Sequence, residues 1–147
     1  MIIIMSIKQV NINCVFFYEK IPNNVISDGE FSRIIYSNQD LTFNGIYIEM
    51  KLNGCSFYNY NTNKYRASFI VNENLDQINL IKLLEENILN RYESIPNKSY
   101  KLFNYINSGY IKMLCFDNPT HKKLILKISG VWFKNEECGV TYKFVFV

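Results

Sequence analysis

The chain has 147 residues and a formal net charge of +3; 48% of it is hydrophobic and 16% aromatic, with 11 Tyr and 11 Phe. That length suits one domain, and the apolar content is too high for a disordered segment, which lacks the area to offset ordering entropy. The mild charge excludes the dense basic character of a histone-like nucleic-acid binder.

Cys14, Cys55, Cys115 and Cys138 are scattered, with no C-x-x-C pair, which reads as reduced thiols and gives no support to a disulfide framework or a metal site. The apolar opening Met1-Ile2-Ile3-Ile4-Met5 is broken by Ser6, Lys8 and Gln9. It is too short for a signal core or a membrane span, so the expectation is an intracellular chain, not secreted and without a membrane partner.

From Ile7 to Tyr18, Val10-Asn11-Ile12-Asn13-Cys14 alternates and then turns continuously apolar, which predicts a half-buried strand. Ile21-Pro22-Asn23-Asn24 and Ser27-Asp28-Gly29 carry turn chemistry and bound a loop. Phe31 to Tyr36 and Gly45 to Leu52 read as strands, and Asn53-Gly54 after the second is a strong hairpin signal. Cys55 to Tyr60 and Tyr65 to Val71 favour strands and frame a further hairpin through Asn61-Thr62-Asn63-Lys64.

A helix begins at Asn72 or Asn74 and runs to about Glu93. Within it Leu75, Ile78, Leu80, Ile81, Leu83, Leu84, Ile88 and Leu89 form one apolar stripe, which a lone helix among strands must bury on the sheet. Lys98 to Tyr110 suits either a short helix or an irregular strand. Tyr110 to Phe116, Lys123 to Phe133 and Val140 to Val147 read as strands, with turns at Asp117-Asn118-Pro119-Thr120 and Lys134 to Glu137.

Catalytic signals are thin, and the expectation is that the chain is not an enzyme. His121 is the single histidine and follows a Pro-Thr turn beside Lys122 and Lys123, where a solvated loop residue is the expected role. Glu85-Glu86 and Glu136-Glu137 read as solvated charge on a helix surface and in a turn. Neither a phosphate-cradling glycine loop nor a nucleophile elbow occurs, and no cofactor is implied.

Charge placement says more than charge total. Between Glu49 and Glu73 there is no acidic residue, yet Lys51, Lys64 and Arg66 interleave with Phe57, Tyr58, Tyr60 and Tyr65. Binders of single-stranded nucleic acid combine cations for the backbone with exposed rings for the bases. Lys98, Lys101, Lys112, Lys122 and Lys123 form a second basic stretch, against the more acidic helix. The competing reading is that Tyr and Phe alternating in strands fill a core while Lys keeps the other face wet. Trp132, just after Gly130, fits packing, stacking or both.

Leu126-Lys127-Ile128-Ser129-Gly130-Val131-Trp132-Phe133, followed by Cys138-Gly139-Val140-Thr141-Tyr142-Lys143-Phe144, resembles the closing hairpin of DNA-binding proteins of large nucleocytoplasmic DNA viruses. Phe31-Ser32-Arg33-Ile34-Ile35-Tyr36 and Leu41 to Tyr47 extend the likeness, which covers about a third of the chain. Proteins of that kind look related to OB-fold single-stranded-DNA-binding proteins of phage and poxvirus type. The resemblance implies a viral DNA-binding module. It does not extend to the flexible acidic tail that recruits replication partners, because the chain reaches Val147 inside an apparent strand.

The sequence therefore predicts a mainly β domain with one long helix: a β-barrel, OB-like, or a curved antiparallel sheet, with α+β as the alternative. The expected function is sequence-tolerant binding of single-stranded nucleic acid. Lys51, Lys64, Arg66 and Lys143 are the candidate phosphate contacts, Tyr58, Tyr60 and Trp132 the candidate stacking rings, and Arg33 a further cation. The alternative function is a viral structural or protein-interaction module. It would form homo-oligomers or bind a viral protein partner through an aromatic surface, with Val140 to Val147 as the pairing strand if it lies at an edge.

Overall fold

The computed structural model describes residues 3–115 and 123–147; the turn from Asp117 to Thr120, His121 and Lys122 lie outside them. In chain order the strands are β1 (Ile4–Met5), β2 (Val15–Phe17), β3 (Ile21–Pro22), β4 (Glu30–Ser37), β5 (Thr42–Asn44), β6 (Ile46–Met50), β7 (Ser56–Asn61), β8 (Lys64–Ser68), β9 (Asn97–Ser99), β10 (Tyr110–Leu114), β11 (Leu124–Lys134) and β12 (Glu137–Phe146). Helix α1 (Leu75–Leu89) lies between β8 and β9, and α2 (Lys101–Ile106) between β9 and β10.

Of the described residues 46% lie in strands and 22% in helices, 3-10 turns included, which is the mainly β architecture with one long helix. The main path of the sheet runs β1-β6-β11-β12-β10-β8-β7. It is not closed into a barrel, which corrects the expected barrel or OB-like closure. Closure needs the two edges to meet at a consistent stagger. Here β11 instead pairs through Leu124–Ile128 with β6 and, past a bulge between Ile128 and Gly130, through Gly130–Phe133 with β4. The later part of β4 then pairs with β2 and β5, so strands branch away from the sheet and do not curl it shut. The sheet is also mixed: β1 runs parallel to β6, and β9 and β10 run parallel to β12.

The β7–β8 and β11–β12 hairpins form as expected. The first turns through Asn63 (φ 60°), the second through Asn135 and Glu136 (φ 52° and 61°), the left-handed pair that a tight hairpin turn requires. Asn53-Gly54 makes a turn but no hairpin, because β6 pairs with β11 while β7 pairs with β8 at the far edge. Asn74 holds that turn instead: its Oδ1 accepts from the Asn53 amide at 2.6 Å and its Nδ2 donates to the Asn53 carbonyl at 3.1 Å.

The strand expected over Ile7–Tyr18 shrinks to β2. Residues 7–9 and 12–14 form 3-10 turns, with Gln9 Oε1 accepting from the Ser6 amide and Asn11 Oδ1 from the Asn13 amide. Short polar side chains have satisfied the backbone locally, in competition with a ladder.

Helix α1 buries Ile78, Ile81, Leu84, Ile88 and Leu89 against the inner sheet face, where Ile48, Leu126, Val140, Phe144, Ile111 and Met113 meet them. Each such side chain contributes roughly 1.5–3 kcal/mol when removed from water. Leu75 and Leu83 of the predicted stripe are exposed. Glu85, expected in solvent, is wholly buried, and its carboxylate accepts from the Leu102 and Phe103 amides at 3.0 Å each. It fixes the first turn of α2, the element that resolves the ambiguous stretch after Lys98.

Candidate nucleic-acid interface

Residues directly opposite one another on neighbouring strands share a face of the sheet. On the face turned away from α1, Tyr58 of β7 lies opposite Arg66 of β8, which lies opposite Lys112 of β10. Leu114 then meets Val145 of β12, whose neighbour on the same face, Lys143, faces Lys127 and through it Tyr47. Past the bulge the same face carries Trp132 of β11 opposite Phe31 of β4, and Gly130 opposite Arg33. Glu49 and Glu137 also lie on this face by register.

The Arg66 guanidinium carbon sits 4.6, 4.8 and 5.3 Å from the ring centroids of Tyr58, Tyr60 and Tyr110. Its Nε is buried and has no hydrogen-bond partner. Arg66 thus acts as a hub that stands three rings up from the sheet, leaving Tyr58 45% and Tyr60 38% exposed. Their neighbours Phe57 and Tyr65 point the other way and pack on Phe146, with centroids 4.7 and 5.1 Å away. One strand pair therefore divides its aromatics between surface and core.

Among the described residues β10 pairs with β12 only at Leu114 and Val145, and the two strands splay apart from there. Tyr105 of α2 fills the wedge: its hydroxyl accepts from the Lys112 amide at 2.7 Å, in the place a ladder carbonyl would take. The splay leaves a groove of about 260 Å³ lined by Tyr60, Lys64, Tyr105, Lys112, Tyr142 and Lys143 together with apolar neighbours. Burial pushes the Tyr142 hydroxyl up to about 12, helped by Tyr105 and Glu85. The phenol stays neutral at neutral pH and places no negative charge in the groove.

Tyr142 also lines the next cavity, of about 470 Å³, and is the wall the two share. Ile21, Val25, Ile26, Phe31, Val140 and Trp132 supply its apolar wall, with Arg33 and Lys101 as its cations. Two glycines shape the floor. A β-carbon on Gly130 would collide with the Phe31 ring, and one on Gly139 would stand 2.6 Å from the Trp132 ring, so both rings lie close against bare backbone. The Lys101 ammonium lies over the indole, 5.2 Å from the Trp132 ring centroid. Groove and cavity together hold Lys64, Lys112, Lys143, Lys101 and Arg33, and among the described residues no carboxylate lines either.

The fold brings Tyr60, Lys64 and Lys143 together at the groove, with Tyr58 and Arg66 beside Tyr60 but outside its lining, and Trp132 and Arg33 at the neighbouring cavity. Lys51 is not among them. Its backbone is tied to Gln77 of α1, and it lines a separate hollow with Glu49, Glu73 and Asp76. Lys101, Lys112, Tyr105, Tyr142 and Phe31 join the site without having been singled out for it. The two lysines belong to the second basic stretch of the sequence, whereas the ring positions follow from the splay and the bulge, which have no local signature.

Comparison with family models, with curated proteins and with solved structures returns no match. The reading of this surface therefore stands on its own geometry. Among the described residues no group of three or more His, Cys, Asp and Glu side chains is placed to hold a metal ion, and no helix is long and apolar enough to cross a membrane. Burial pushes the thiols of Cys55, to about 11, and of Cys138 up, away from the thiolate a nucleophile needs.

Proposed function

We propose that the chain binds single-stranded nucleic acid along the groove and cavity that meet at Tyr142, with little regard to sequence. The observation that carries this reading is the lining: Lys64, Lys112, Lys143, Lys101 and Arg33 share it with Tyr60, Tyr105, Tyr142 and Trp132, and no carboxylate intervenes among the described residues. Cations spaced along a trough neutralise a flexible phosphate backbone, and flat rings beside them stack on any base. The likeness of the β11–β12 hairpin to viral DNA-binding proteins points the same way.

A labelled oligo-dT titrated with the protein and followed by anisotropy tests it. With five cations engaged, the logarithm of the affinity should fall against the logarithm of salt with a slope of about −3.5, some 0.7 per phosphate contact. Absence of binding at low salt rejects the reading.

The alternative, a protein-interaction module, draws on β7, which is the outermost strand of the main path and carries exposed Tyr58 and Tyr60. The terminal strand β12 pairs with β11 on one side; on the other it meets β9 through Glu137–Gly139 and β10 at Val145, and among the described residues 140–144 have no strand partner on that side. Light scattering behind size exclusion separates the readings: a discrete oligomer without oligo-dT binding favours this one.

A further inference from the structure

The cavity against Trp132 is built differently from the groove beside it. The groove is a trough of phenols and lysines, whereas the cavity is a larger, half-open hollow of about 470 Å³, within the roughly 300–1,000 Å³ typical of small-molecule sites. Its floor is two rings laid against Gly130 and Gly139. One indole face rests on the Gly139 backbone, and an exposed lysine covers the ring at 5.2 Å.

We infer that this cavity admits a single nucleobase, which displaces the Lys101 ammonium from Trp132 and stacks there while Lys101 and Arg33 hold the attached phosphate. The inference rests on the nucleic-acid reading above and narrows it to a nucleotide-sized site. A base stacked on an aromatic ring gains more than an exposed cation–π contact loses, so the exchange runs downhill. The released ammonium stays at the mouth, where Arg33 of β4 is the other cation and, among the described residues, no carboxylate lines the cavity to compete with a phosphate. Asn23 lines the cavity, but its side-chain oxygen already accepts from the Val25 and Ile26 amides at 2.9 and 3.3 Å. That acceptor is committed to the loop and is not open to a base edge.

Trp132 is the single tryptophan of the chain, so its emission reports on this pocket alone. The full chain is titrated with dTMP, thymidine and inorganic phosphate, beside the labelled oligo-dT assay. Saturable quenching by dTMP, weaker binding but full quenching by thymidine, and no response to phosphate support the pocket. In Lys101→Ala, dTMP affinity should fall about tenfold through loss of one of its two charge-assisted contacts, and stay above that of thymidine. Unchanged emission at millimolar dTMP overturns the inference, as does phosphate acting like dTMP. Oligo-dT binding without dTMP quenching removes the pocket and leaves the wider interface standing; dTMP quenching without oligo-dT binding keeps the pocket and removes the interface.

Discussion

Trp132 and Gly139 face each other across the β11–β12 ladder, and the indole lies so close to the glycine that an added β-carbon would be 2.6 Å from its Cζ2. The contact ties fold to site, because the glycine that lets the indole lie against the hairpin backbone also leaves the ring lining the cavity.

Gly139→Ala therefore acts on both. The indole or the strand must shift, at about 1–3 kcal/mol of stability for overpacking a filled position. Urea unfolding measures the loss, and a red shift of Trp132 emission in the folded protein shows that the ring has moved into water.

A second prediction concerns Glu85, whose carboxylate caps the first turn of α2. Glu85→Ala leaves the Leu102 and Phe103 amides without their acceptor in the core and should cost about 2–5 kcal/mol in urea unfolding. Burial, opposed by these two hydrogen bonds, raises the Glu85 carboxyl above its ordinary value. Between the ordinary and the raised value the folded chain binds more proton than the unfolded one, so this contribution to stability is fully present below the ordinary value and is lost as pH rises through the raised one. Glu85→Gln should flatten that part of the stability–pH curve; an unchanged curve contradicts the assignment.

Strand and helix identities were legible because their periodicity is local: the 3.6-residue stripe of α1 and the alternation of β11 and β12 appear in the residues themselves. Pairing was not. Asn53-Gly54 carries the chemistry of a hairpin, yet tertiary packing sends β6 and β7 to opposite parts of the sheet. The N-terminal alternation lost to Asn and Gln side chains that satisfy their own backbone. At the site, the basic and aromatic run through Tyr58, Lys64 and Arg66 was readable, but Lys51 fell outside it because the chain turns toward α1 before that side chain can join the groove.

Tyr60 and Tyr65 lie on opposite faces of the β7–β8 hairpin and should respond differently to truncation. Tyr60→Ala removes a groove ring and should weaken oligo-dT binding by about 1–3 kcal/mol with little change in stability. Tyr65→Ala empties a place beside Phe146 and should lower stability by about 3–5 kcal/mol. Anisotropy and urea unfolding of both variants check the division.

The most direct measurement compares two double charge reversals of equal net effect in the oligo-dT salt titration. Lys112→Glu with Lys143→Glu alters the groove; Lys8→Glu with Lys51→Glu alters the hollow at the start of α1. The account predicts that the first pair abolishes most binding and makes the salt slope shallower by about 1.4, two phosphate contacts' worth, while the second leaves the slope as it was. Equal losses from both pairs would mean that total charge and not this groove attracts the strand, and would contradict it.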